Sequence, residues 1–379
     1  MLMQKRLGRW AGSLYMWLDR IKNNKQEETQ MSYLKKLTAV CLLFIMCVSI
    51  TSCGDTSWAM EIDGQKPPAG LYILYQYIAL NDAKQHEDFN SELKDIWDNQ
   101  IEDKKIADWI NEQAAQTLKE HVEIDNLFSE ANMELTQEQQ ETLDYSVKQN
   151  WSSNEATFRK FGVAESSYRL MLENSIKYQQ LFNAHYGEGG PEEVPEADLM
   201  TEYEQNYASV HVITFSLKNS SNEDLSEEEK QAVQEKEQTY LQRLQDGEDI
   251  ATLIKEYAKE QAVAQDQEEP ADEDINTDPR IIQKGEVNIY NYLPETISTS
   301  IFETVNIDEP VILNDTSADY LVLKHDITQD TKTFEDLKPA LLSSLKNDDF
   351  EVIIADKANE LSVTNNDNAL KQFKPSKLV

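Results

Sequence analysis

"VHVITFS", residues 210–216, alternates strictly. Val210, Val212 and Thr214 fall on one face of a strand, and His211, Ile213 and Phe215 on the other. The chain has 379 residues and five histidines, and it sets one of them among apolar neighbours at the start of this strand. Two roles suit His211: a chemical group, or a core histidine with a satisfied hydrogen bond. The strand also marks a boundary, because the periodicity before it is helical and the periodicity after it is mixed.

Downstream, Ser226 and Glu229 form a capping box ahead of a charged helix that runs to Asp246 and is stopped by Gly247. A second helix carries Leu253, Ile254 and Tyr257. Then comes "AQDQEEPADEDINTDP", residues 264–279, with seven carboxylates and no aromatic residue, which predicts a mobile, solvated loop. "LPETISTSIFETV" predicts a helix, and "EPVILN" and "ADYLVLKHD" predict strands. Helices and short strands mixed in this way make an α+β domain.

Upstream, Trp58 to Ile62 predicts a short strand closed by an Asp63-Gly64 turn. Leu71, Leu74, Tyr75 and Ile78 then recur with helical spacing as one buried stripe. Ile106, Trp109, Ile110, Ala114 and Leu118 form another, and Thr136 with Gln139 makes a capping box before Leu143 and Val147. Residues 164–186 predict a long helix ended by glycines, and "EADLMTEYEQNY" a short one leading to His211. No strand is expected between residues 71 and 206. Phe334 to Leu361 reads as a further helix despite Pro339, and it is expected to fold back on the amino-terminal helices, since it cannot bury a face alone.

The amino end differs in charge from the rest. Eight of 35 basic and three of 70 acidic residues precede Cys53, so the remainder carries 27 bases against 67 acids. Lys35 and Lys36 introduce the apolar run Leu37 to Ile50, too short for a comfortable membrane span but suited to a signal peptide. "ITSC", ending at Cys53, looks like a lipobox, so Cys53 is the expected lipidation site. Cleavage there would leave a single cysteine and exclude disulfides and thiolate metal sites. Met31 is a better start than Met1, given the long leader before it.

An overall charge of -35 argues against nucleic acid as a partner. His86, His121, His185, His211 and His325 are scattered without metal-ligand spacing, so no metal and no cofactor is expected. Phosphate-binding glycine loops and hydrolase elbows are also absent from the sequence.

The order of parts resembles the extracytoplasmic foldases of the PrsA and SurA type: export signal, helical chaperone segment, inserted parvulin-type prolyl isomerase domain, returning carboxy-terminal helix. The best local matches are "FGVAESSYRLMLENSIKYQQLF", "VHVITFS", "DGEDIATLIKEYAKE" and "LPETISTSIFETVNIDEPV". The resemblance implies a fold that is α+β overall, mainly helical with an inserted parvulin-like domain. The implied divisions are 1–52 leader and signal peptide, 53–205 helical segment, 206–330 parvulin-like domain and 331–379 returning helix.

Carried over by position, His211 matches the first of that family's two histidines, and Leu293 and Ile297 match its proline-cradling pocket. The second histidine is missing, because Tyr320 is followed by Leu321. His325 shares a face with Leu321, but four residues along a strand is about 13 Å, and it is not expected to rebuild the pair. The resemblance therefore implies a lipid-anchored chaperone on the extracytoplasmic face of a bacterial membrane. It would bind unfolded exported polypeptides, with weak or absent prolyl isomerase activity; an active isomerase is the alternative. Tyr72, Tyr75, Tyr77, Trp109, Phe128 and Trp151 are the candidate rings for holding such clients; the alternative, which suits any one of them better, is that they fill the core.

Overall fold

The computed structural model describes residues 57–285 and 293–378. The segments expected to be leader and signal peptide, and Cys53, lie outside the described residues. Two compact units divide the chain: one is drawn from Met1–Glu193 and Leu342–Val379, the other is Val194–Leu341.

The first unit opens with β1 (Met60–Ile62) and a tight turn in which Asp63 and Gly64 both have positive φ, 48° and 78°. That is the hairpin-turn conformation for which Asp-Gly is suited. Helix α1 (Ala69–Ala83) follows, and it is buried on more than one stripe: Leu71, Tyr72, Ile73, Leu74, Tyr75 and Gln76 are all covered. A helix apolar on all sides belongs in the middle of a core.

A two-residue hairpin, β2 (Gln100–Ile101) with β3 (Lys104–Lys105), precedes α2, and it corrects the expectation of no strand here. Its turn is made by Glu102 and Asp103 at φ 51° and 61°. Two residues are too few to show the alternation by which strands are read. Helix α2 (Ile106–Glu130) then buries Trp109, Ile110, Ala114, Leu118 and His121 along one face. Helix α3 (Gln137–Phe161) starts at the Thr136/Gln139 capping box and ends at Gly162, φ 86°. Helix α4 (Glu165–Tyr186) completes this part.

The second unit begins with α5 (Glu196–Asn206), which leads directly into β4 (Tyr207–Ser216). Next come α6 (Glu227–Gln245), capped by Ser226 and Glu229, and α7 (Ile250–Ala264), capped by Asp249. The acidic stretch is partly tied down: Lys259 pairs with Asp272, and β5 (Arg280–Gln283) follows as an unforeseen strand. The ion pairs and the β4 partner supply order that composition alone does not show. Helix α8 (Glu295–Glu303), β6 (Val311–Asn314) and β7 (Ala318–His325) complete an antiparallel sheet of order β5-β4-β7-β6.

Each face of that sheet has its own core. Ala208, Val210, Val212, Tyr320 and Val322 pack with Ile297 and Ile301 of α8. Ile213, Phe215 and Leu321 pack with Tyr240 and Leu244 of α6 and Leu253 of α7. The alternation of β4 thus separates two apolar layers.

Helix α9 (Thr331–Glu360) contains Pro339, and its later turns belong to the first unit, as expected of a returning helix. There Phe350 sits edge-on to Tyr178 at 5.1 Å and to Phe182 at 5.6 Å between ring centres. Strand β8 (Val363–Asn365) pairs with β1, and after α10 (Asp367–Leu370) the chain buries Leu378 in the same core. Both ends of the described chain therefore close one helical unit, and the α+β unit is inserted between them.

The candidate client-binding rings lie inside. Tyr72, Tyr75, Trp109, Phe128 and Trp151 are buried in the first unit, and Tyr77 is half-buried against its core. Of the two expectations, core packing is the one that holds: stacking partners within the unit consume the rings, as with Trp151, Phe158 and Tyr168. Tyr75 also hydrogen-bonds His121 Nδ1 at 2.7 Å, and Asp125 lies 3.4 Å from His121 Nε2. Burial acts to raise the Asp125 carboxyl, but His121 and Lys177 outweigh it and bring it down to about 2.

Candidate functional site

Strand register decides where His211 points and what it meets. In the β4–β7 ladder His211 stands opposite Leu323, and Ser209 opposite His325. His325 is therefore the diagonal neighbour of His211 on the same face, within reach of a ring. His211 Nδ1 and His325 Nε2 are 2.6 Å apart, and the rings meet edge to face with centres 4.7 Å apart.

The contact overturns the expectation that His325 cannot form a pair. The relevant separation is not along β7 from Leu321 but across the ladder from His211. The diagonal neighbours of His211 are the residues two places to either side of Leu323. Leu321 takes one of those places and His325 the other.

The remaining ring atoms fix the proton positions. His211 Nε2 lies 2.8 Å from the carbonyl of Thr277, which only accepts, so this nitrogen carries the hydrogen and donates. In neutral His211 the Nδ1 is then an acceptor, and His325 Nε2–H donates to it. His325 Nδ1 faces Asp308 Oδ1 at 3.8 Å. The result is a directed pair of hydrogen bonds, from His325 through His211 to the backbone of the segment before β5, with Asp308 beside the outer nitrogen of His325. His211 is 9 % exposed, whereas the His325 side chain retains 29 %, so solvent reaches the couple from the His325 end.

Burial, and secondarily the neighbouring His211, push the His325 pKa below its ordinary value, against the pull of Asp308. A lowered histidine pKa means the unfolded chain takes up the proton first. Its contribution to stability is thus present above pH ~6.5 and is lost as the pH falls towards the lower folded value. In His211→Ala the His325 titration is expected to move upward, because one of its two depressing causes is gone. Imidazole resonances followed by NMR against pH check this; an unmoved midpoint would show that the rings do not interact.

A second polar group occupies the same sheet face. Glu237 of α6 and Asp319 of β7 are each 3 % exposed, and Asn314 Nδ2 donates to Asp319 Oδ1 at 2.6 Å. Burial, then the charge of Asp319 and a hydrogen bond with it, raise Glu237 to about 7. One oxygen, Glu237 Oε2, is buried without a hydrogen-bond partner. A carboxyl beside another carboxyl in a dry place holds its proton to higher pH, and here that carboxyl is Glu237.

Leu293 and Ile297 come together, but elsewhere. Both belong to the core on the other face, with Val210 and Val212. The strand that carries His211 therefore stands between the histidine couple and the two residues matched to a proline cradle. Sequence reasoning missed Thr277, Asp308, Glu237 and Asp319. Face alternation places Asp319, Leu321, Leu323 and His325 together, and it was the one signal from which this grouping could have been read. Among the described residues no group of three or more metal-ligating side chains occurs.

No protein-family model matches the chain, and no curated protein matches it either. Among solved structures it is similar to foldase protein PrsA from Lactococcus lactis, with 12% identity and a TM-score of 0.35 over 84% of this chain and 99% of that one. Foldase protein PrsA from Streptococcus pneumoniae matches at 11% identity and a TM-score of 0.32, over 69% of this chain and 89% of that one. PrsA from Bacillus subtilis matches at 11% identity and a TM-score of 0.28, over 76% and 98%. The chain is thus similar to PrsA structures along most of its length, at low identity and low superposition scores.

Proposed function

We propose that this chain is a foldase-like chaperone of exported polypeptides, held at the extracytoplasmic face of a bacterial membrane through Cys53, with weak or no prolyl isomerase activity. Residues 206–330 form its parvulin-like module in this reading. One observation carries the view of the activity: the histidine couple and the pair Leu293 and Ile297 occupy opposite faces of one sheet. Isomerisation has to lower a barrier of about 18–20 kcal/mol, and doing so needs an apolar cup and polar groups around the same twisted amide. Split between two faces, neither half assists the other.

A proline-limited refolding assay tests this directly. Slow phases of tens to hundreds of seconds are expected to stay within about twofold of their unassisted rate. Residues 54–379 are expected to suppress aggregation of an unfolding client at molar excess. A client that aggregates unchanged would refute the chaperone reading.

The second reading is an active isomerase, favoured by the 2.6 Å histidine contact. It requires acceleration of the slow phase that disappears in His211→Ala.

A further inference from the structure

The first unit gathers cations around its carboxy-terminal segment. A cleft of about 570 Å³ has Arg159, Lys160, Lys374 and Lys377 in its walls and no carboxylate among its lining residues. This occurs in a chain whose acids outnumber its bases 70 to 35. Arg159 and Lys160 come from the last turn of α3, where they also complement the helix dipole. Lys374 and Lys377 arrive from a different part of the sequence, flanking and closing the short 3₁₀ turn Pro375–Lys377.

The cleft is built by fixed contacts. Gln76, 1 % exposed, donates from Nε2 to the Phe373 carbonyl at 2.8 Å and to Asn111 Oδ1 at 2.7 Å. Asn366 Nδ2 donates to the Trp58 carbonyl at 3.0 Å, and Leu378 is anchored in the core. These contacts hold the segment that carries Lys374 and Lys377 against α1. Arg159 is itself oriented, with Glu155 accepting from its Nε at 2.7 Å and Trp151 beneath its guanidinium at 5.7 Å. Lys377 Nζ donates to the Gln372 carbonyl at 2.8 Å.

We propose that this cleft binds a phosphate group on a small molecule or a lipid. Its volume falls within the range of small-ligand sites, about 300–1,000 Å³. A guanidinium with several ammonium groups matches a tetrahedral oxyanion better than a single carboxylate. Ser57 also lines the cleft and follows Cys53 by four residues, so the extended chain between them spans at most about 14 Å. If Cys53 carries a lipid, as in the reading above, the cleft lies within reach of the headgroup layer.

The test uses the full chain with Cys53→Ser and the double variant Lys374→Glu, Lys377→Glu, whose two sites are exposed and tolerate exchange. Circular dichroism verifies that both proteins fold. Inorganic phosphate is expected to raise the melting temperature by several degrees where chloride at equal ionic strength does not, and the double variant is expected to lose the response. In a second arm, phosphatidylglycerol vesicles are expected to sediment the chain at least tenfold better than phosphatidylcholine vesicles, again dependent on the two lysines. A response to inorganic phosphate supports a soluble phosphate ligand, and a lysine-dependent response to vesicles alone supports a headgroup. No response in either arm, or responses the double variant retains, would overturn the site. Mass spectrometry of the exported protein judges the lipidation of Cys53 separately, so either idea can fail without the other.

Discussion

Trp109→Ala is expected to destabilise the first unit by about 4 kcal/mol, whereas Tyr145→Ala should change it by less than about 0.5 kcal/mol. Trp109 is 1 % exposed, meets the edge of His86 at 5.9 Å, and donates its indole N–H to Glu102 at 3.3 Å. Truncation leaves a cavity that the rigid flanks of α1 and α2 cannot close, so the loss combines transfer and cavity costs. Tyr145 is 48 % exposed and leaves no such void. Urea unfolding followed by circular dichroism measures both. A small loss for Trp109 would restore the view that these rings form a surface, and client binding should then be sought there.

Glu237→Gln is expected to stabilise the second unit above neutral pH by about 2 kcal/mol, a few degrees in melting temperature. The sign follows from the raised carboxyl. With a folded value of about 7 against an unfolded value near 4.5, the native state holds the proton longer. The stability it confers is complete below pH ~4.5 and declines as the pH rises through 7. Above that the wild type holds two charges in one dry place, whereas glutamine offers Asp319 a neutral donor. Melting curves from pH 4 to pH 8 should show the wild type losing stability across this window and the variant losing less. Parallel curves would mean that the Glu237 carboxyl is not raised by its surroundings.

Much of the local architecture was legible in the amino-acid order. The capping boxes at Thr136 and Ser226 start the helices they announce, and the alternation of residues 210–216 assigns Val210 and Val212 to one core and Ile213 and Phe215 to the other. These signals are local: a hydroxyl bonds an amide three residues on, and side chains alternate along a strand whatever its partner. The return of the last long helix was also readable, from an apolar stripe with nothing near it in sequence to cover it.

What the sequence by itself determined, then, is the order of the long helices and the alternation of faces along β4 and β7. Tertiary structure alone decided that His325 joins His211, since that contact spans 114 residues and depends on which residues of β4 and β7 stand opposite each other. It also decided that Leu293 and Ile297 lie behind the sheet from that couple, and that the aromatic rings of the first unit turn inward. Register and packing are set by the summed burial of whole faces, and no short stretch of chain carries that sum.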